Sequence, residues 1–171
     1  SHAPGLTGWL DRAPQKEQQS LTEGFNLLGN KLRAAKPDLI IGLANDHVLN
    51  LPVDNQPDFC VGISDSWSGP AEWFQDWVNI GTYQVDGNAQ VAGVLLNQLS
   101  TQGFDIVSKV ELLFDDNWSV PLKYLTPDYD IPLVPIHMNC IVPPVPSPRK
   151  CFDFGRAVQK IIENSLPSDL R

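Results

Sequence analysis

The sequence predicts an α/β domain, a layered helix–sheet–helix arrangement around a largely parallel or mixed central sheet. Three observations predict it. Residues 15–35 place Leu21, Phe25, Leu28, Leu32 and Ala35 at steps of four and three, the apolar stripe of a helix. The run Leu39–Ala44 follows at once and is continuously apolar before it turns polar, as a strand covered on both faces does. Towards the C-terminus a second apolar run, 131–139, precedes another amphipathic stretch. Helices alternating with buried strands are the mark of layered α/β folds.

Each element has its own local reasons. The first helix carries Lys31, Arg33 and Lys36 near its C-terminal end, where cations favour the helix dipole, and Pro37 closes it. Phe59–Ser64 is a second short strand. Residues 65–86 hold three of the five tryptophans, Trp67, Trp73 and Trp77, without a period, and are expected to form an irregular surface excursion. Residues 88–100 form a helix with Val91, Leu95 and Leu99 four apart, and Gly103 fits a position past its end. Residues 104–114 hold one strand or two short ones. The strand at 131–139 leads into a proline-rich, extended segment. Ser147 then reads as an N-cap with Pro148 at the first helical position, and Phe154, Val158, Ile161 and Ser165 line one side of the last helix.

The 171 residues are the size of one domain, and no linker divides them, so 1–171 is expected to be a single unit. A net charge of −8 argues against nucleic acid and anionic membrane surfaces as partners, since both need clustered Lys and Arg. No apolar run approaches the length that spans a bilayer. The cysteines, Cys60, Cys140 and Cys151, are odd in number and lack metal-knuckle spacing, which points to reduced thiols in a cytoplasmic protein.

In open α/β sheets ligands bind beyond the carboxyl ends of strands. After Leu39–Ala44 come Asn45, Asp46 and His47; after 104–114 come Asp115, Asp116 and Asn117; after 131–136 come His137, Met138 and Asn139. His47, beside an acid, suits a metal ligand whose other ring nitrogen is held by an acceptor, or else a polar strand end facing water. His2 alone reads as a tail residue. With His47 and one carboxylate it completes the facial set that suits non-haem Fe(II). Asp115 and Asp116 are candidates for acid–base work, for cation binding or for capping a helix. His137 reads as a core histidine.

The segments SHAPGL, PDLIIGLANDH, FCVGI, VPL and IPLVPIHMNCIVPPVPSPRKCFDFGRAV occur in the order seen in class III extradiol ring-cleaving dioxygenases. The chain resembles that family over nearly its whole length. The resemblance implies an Fe(II) site to which the histidines of "SH" and "DH", here His2 and His47, contribute. It implies a catechol-type substrate and O2 as partners. The strand-end residues Asn45, Asp46 and Asn139 are expected around them, in a cytoplasmic homo- or hetero-oligomer. The resemblance also implies a catalytic-type domain truncated at both ends, because the family's glutamate ligand and a later catalytic histidine have no counterpart up to residue 171. Asp116 stands where many relatives carry an acid–base histidine, which assigns the catalytic role to Asp116 with Asp115. The same departure leaves open a noncatalytic subunit of a heteromeric dioxygenase, and the His/Asp set leaves open a metal-dependent hydrolase.

Overall fold

The structure is a computed structural model and describes residues 2–54 and 56–170. In chain order these form α1 (Gly5–Gly8), α2 (Gln15–Ala35), β1 (Ile40–Asp46), β2 (Phe59–Gly62), β3 (Ser66–Gly69), α3 (Gln75–Val78), β4 (Tyr83–Asp86), α4 (Ala89–Thr101), β5 (Ile106–Lys109), α5 (Asp116–Leu125), β6 (Leu133–Asn139) and α6 (Pro148–Ser165). The expected start of the last helix operates, and α4 starts on a side-chain cap too. Ser147 Oγ accepts the Lys150 N–H at 3.2 Å with Pro148 at the head of α6, and Asn88 Oδ1 accepts the Val91 N–H at 2.9 Å at the head of α4. α2 ends where Lys36 turns left-handed (φ 49°) ahead of Pro37.

β1, β6, β2 and β5 form one sheet in that order. β1 runs parallel to β6 and β2 parallel to β5, but β6 and β2 are antiparallel. The sheet is therefore mixed, as the sequence predicts. Its two halves point opposite ways, so only β1 and β6 end at the rim that carries His47. Chain 104–114 reaches that rim indirectly. β5 stops at Lys109, and residues 110–114 turn back with Leu112 and Phe114 buried. Asn50 pins this return, donating to the Leu113 carbonyl at 3.0 Å and accepting its N–H at 2.8 Å.

Each face of the sheet has its own core. On one, Phe59, Val61, Val134 and Ile136 meet Leu95 and Leu99 of α4 and Phe154, Val158 and Ile161 of α6. Phe59 and Phe154 stack with ring centres 3.8 Å apart. On the other, Cys60 and Leu133 meet Trp118 and Leu122 of α5 with Trp67, Phe74, Val78 and Val85. α2 lies outside α5, its Phe25 stacked on Tyr124 at 4.2 Å.

Residues 65–86 are thus a layer of the core, which corrects the expected surface excursion. β3 and β4 pair antiparallel with Trp67 opposite Val85, and the buried Trp67 indole donates to the Leu133 carbonyl at 3.0 Å. Four-residue strands are too short to show alternation convincingly in sequence. Trp73 and Trp77 do lie on the surface.

Gly42 in the middle of β1 has a steric reason. A Cβ there would lie 2.4 Å from a ring carbon of Trp118, so only glycine lets the indole lie against the strand.

Candidate metal centre

β1 ends because Asp46 turns the chain. Its Oδ1 accepts the N–H of Asn50 at 3.0 Å, and its Oδ2 accepts those of Leu49 and Leu51 at 3.2 Å each. Val48 takes the left-handed conformation this turn needs (φ 63°). Burial pushes the Asp46 pKa up, but the His137 ring and the N–H groups of Asn50 and Leu51 outweigh it and hold the carboxyl below its ordinary range. The sequence points to Asp46 as a neighbour of the ligand set. It anchors the turn instead, its carboxylate taken up by the N–H groups of Leu49, Asn50 and Leu51, while His47 lies past the end of the strand and reaches α5.

The acceptor that His47 does find comes from α5. Asp115 caps that helix, its Oδ1 accepting the Asn117 N–H at 2.9 Å, while its Oδ2 lies 2.9 Å from His47 Nδ1. Asp116 Oδ1 lies 3.4 Å from the same nitrogen. Both carboxylates are buried, and the His47 side chain is one-third exposed (33%). Burial, followed by the neighbouring Asp115 charge, raises the Asp116 pKa above the usual carboxylate range; His47 opposes the shift without cancelling it. Asn117 donates through Nδ2 to the Asn45 carbonyl and stands 3.3 Å from His47 Nδ1, and its buried Oδ1 has no hydrogen-bond partner among the described residues.

His2 completes the group, its ring centre 5.5 Å from that of His47. With nitrogen–metal bonds of about 2.1 Å, two imidazoles on one ion place their ring centres on the order of 5 Å apart. Ligand atoms of His47, Asp115 and Asp116 also lie within 4.8 Å of one another. A nitrogen-and-carboxylate set of this kind suits a divalent transition metal, so the residues present fit one. A carboxylate on Nδ1 places the proton of a neutral His47 ring there and leaves the Nε2 lone pair free for a metal, as in carboxylate–histidine–metal arrangements. Beside the group a cleft of roughly 210 Å³ is lined by His2, Leu43, Ala44, Asn45, Asn117 and Pro121.

Of the candidate residues in the sequence, the fold gathers His2, Asn45, His47, Asp115 and Asp116. It does not bring Asn139 to them. That side chain is buried and holds the proline-rich loop, donating to the carbonyls of Val142 (2.8 Å) and Pro144 (3.2 Å) and accepting the Val142 N–H at 3.1 Å. Asn117 joins the group without having been a candidate for it, although its place directly after the acid pair at a helix start is a usable signal. His137 is a core histidine, 1% exposed, accepting the Trp118 indole N–H on Nε2 at 2.9 Å. No helix among the described residues is long and apolar enough to cross a membrane.

The family model described as the catalytic LigB subunit of aromatic ring-opening dioxygenase matches residues 1–171. Among curated proteins, the chain is similar to 2,3-dihydroxyphenylpropionate/2,3-dihydroxicinnamic acid 1,2-dioxygenases. It is 28% identical to that of Photorhabdus laumondii over 163 residues, 95% of this chain and 49% of that protein. It is 28% identical to one from Pseudomonas putida over 160 residues (92% and 48%) and 27% identical to one from Burkholderia vietnamiensis over 170 residues (95% and 49%). The chain spans about half the length of the curated relatives it matches.

Proposed function

The chain belongs to the family of the catalytic LigB subunit of aromatic ring-opening dioxygenases, and from that premise we propose that its protein is an extradiol dioxygenase opening the ring of a catechol-type substrate with O2 at a non-haem Fe(II). The observation that carries the reading is the meeting of the His2 and His47 rings, 5.5 Å apart, beside two buried carboxylates. His2 and His47 are the metal ligands within this chain. A ferrous ion held there supplies the redox chemistry with dioxygen.

The other residues bind, orient and handle protons. Asp115 holds the His47 ring by its Nδ1–H and so presents Nε2 to the metal. Asp116, whose carboxyl burial and then Asp115 push above its ordinary range, is the group that passes a proton to or from the diol. Asn117 and Asn45 fix each other across the cleft, and Leu43, Ala44 and Pro121 give it an apolar wall against which an aromatic ring packs. The reading extends to the cytoplasm, supported by three free cysteines, and to assembly with a second chain, supported by the exposed Leu43 on the edge strand β1 and the exposed Leu27 and Leu28 on α2.

A second reading, a subunit of the same family without ring-opening activity, is favoured by Asp116 standing as a carboxylate 3.4 Å from His47. One experiment separates the two. The protein is loaded anaerobically with Fe(II), and O2 uptake is followed with a catechol. Uptake of one O2 per ring opened, abolished by His47→Ala, is the expected result. One bound iron without O2 uptake supports the inactive subunit. Preference for zinc with hydrolysis of an ester or amide overturns both in favour of a hydrolase.

A further inference from the structure

His137 is unused by the reaction just described, yet its surroundings are specific. It is 1% exposed and faces the α5 side of the sheet, where its cross-strand neighbours are Ala44 and Cys60. An aromatic or aliphatic side chain would fill such a site without needing polar partners, whereas a buried imidazole needs them. His137 has one good partner and one distant one. Trp118 Nε1 donates to its Nε2 at 2.9 Å. Its Nδ1 lies 3.5 Å from Asp46 Oδ1 and has no other polar partner among the described residues. An indole N–H only donates, so Nε2 carries a lone pair and the ring proton sits on Nδ1, directed at the carboxylate.

The two ends of this chain of contacts matter more than its middle. Asp46 immediately precedes His47 and anchors the turn that carries it. Trp118 follows Asp116 by two positions on α5, and its ring is seated against β1 by Gly42. The line Asp46–His137–Trp118 therefore spans, inside the core, the same two elements that His47 and Asp115 span at the rim. We propose that His137 is a positioning residue, an internal strut that sets the separation of β1 and α5 and thereby holds His47 in register with Asp115 and Asp116. This rests on the metal-centre reading above for its functional meaning, and on the buried contacts alone for its structural one.

Two readouts test it, and they fail separately. In the metal-free protein, long-range proton–nitrogen NMR should show His137 protonated on Nδ1 and bare on Nε2, with a slowly exchanging Trp118 indole proton. A protonated Nε2 overturns the strut. The variant His137→Phe conserves the ring but removes both polar contacts. It should fold, lose the slowly exchanging His47 Nδ1 proton signal, and bind Co(II) about tenfold more weakly, the lower end of the effect of outer-layer partners. His137→Gln keeps an acceptor for Trp118 and a donor for Asp46 and should restore both signals. If His137→Phe folds with the His47 signal and Co(II) affinity unchanged, His137 only fills space and the proposal is wrong. Should His137→Phe not fold, Trp118→Phe breaks the same strut at its other end: loss of the His47 signal with weaker Co(II) binding supports it, and no change in either overturns it. If the parent protein takes up no Co(II), the metal-centre reading fails, while the His47 signal in the variants still decides the strut.

Discussion

Asp116 is a carboxylic acid whose position opposes its own charge. It is 7% exposed and adjoins a second carboxylate, and its pKa is raised by burial first and by Asp115 next. A raised folded pKa means that the ionised form destabilises the fold above the ordinary carboxylate range, and that this destabilisation fades as acid protonates the group in both states. Asp116→Asn is therefore expected to stabilise the metal-free chain at pH 7 by about 1 kcal/mol, with no gain at pH 3, as thermal melting at the two pH values would show. The same change is expected to weaken divalent-metal uptake, and calorimetric titration would register the loss. Cys60 gives a second pH signature at the opposite end of the scale. Burial pushes its thiol from 9.0 up to about 12. The unfolded chain ionises first, so stability should fall as the pH rises from 9.0 to about 12. At about pH 8 a thiol reagent should modify the exposed Cys140 and leave the buried Cys60 intact until the protein unfolds.

Secondary elements are legible where their determinants are local. The first long helix spans Gln15–Ala35, the boundaries its stripe predicts, and Ser147 with Pro148 begins α6 as their chemistry requires. Ser147→Ala is expected to cost about 1 kcal/mol through the lost cap. Phe154→Ala, at a fully buried ring stacked on Phe59, is expected to cost about 3–5 kcal/mol; urea denaturation would rank the two. Gly42→Ala is expected to cost about 1–3 kcal/mol by pushing the Trp118 ring off β1, and the shift of the indole fluorescence would report that movement directly. What sequence does not reveal at this scale is the β3–β4 pair, whose strands have four residues each and whose register is set by packing on Leu133 rather than by a pattern of their own.

At the scale of the molecule, the mixed sheet decides which polar strand ends can meet. By sequence alone, Asp46 is the acid beside His47, and Asp115 is a candidate only for acid–base work, cation binding or capping. The choice between them falls to the turn that claims the Asp46 carboxylate and to the return of residues 110–114, neither of which composition records. Asn139 reads as a site residue for the same reason, that it ends a strand at the right rim, yet its amide is consumed by a loop of its own. The edge strand β1 carries an exposed Leu43 (58%) and no Lys or Pro to discourage pairing. Leu43→Lys is expected to lower self-association of the isolated 171 residues, read as a smaller mass by light scattering on a sizing column.

His47 and Asp115 are 68 positions apart and touch only when β1 and α5 are in place. A helix of α2's length forms within about a microsecond, but bringing together the ends of so long a loop waits for the sheet to close. Cobalt added during refolding would therefore colour late, after the far-ultraviolet signal has settled, and the lag between the two would time the last stage of assembly.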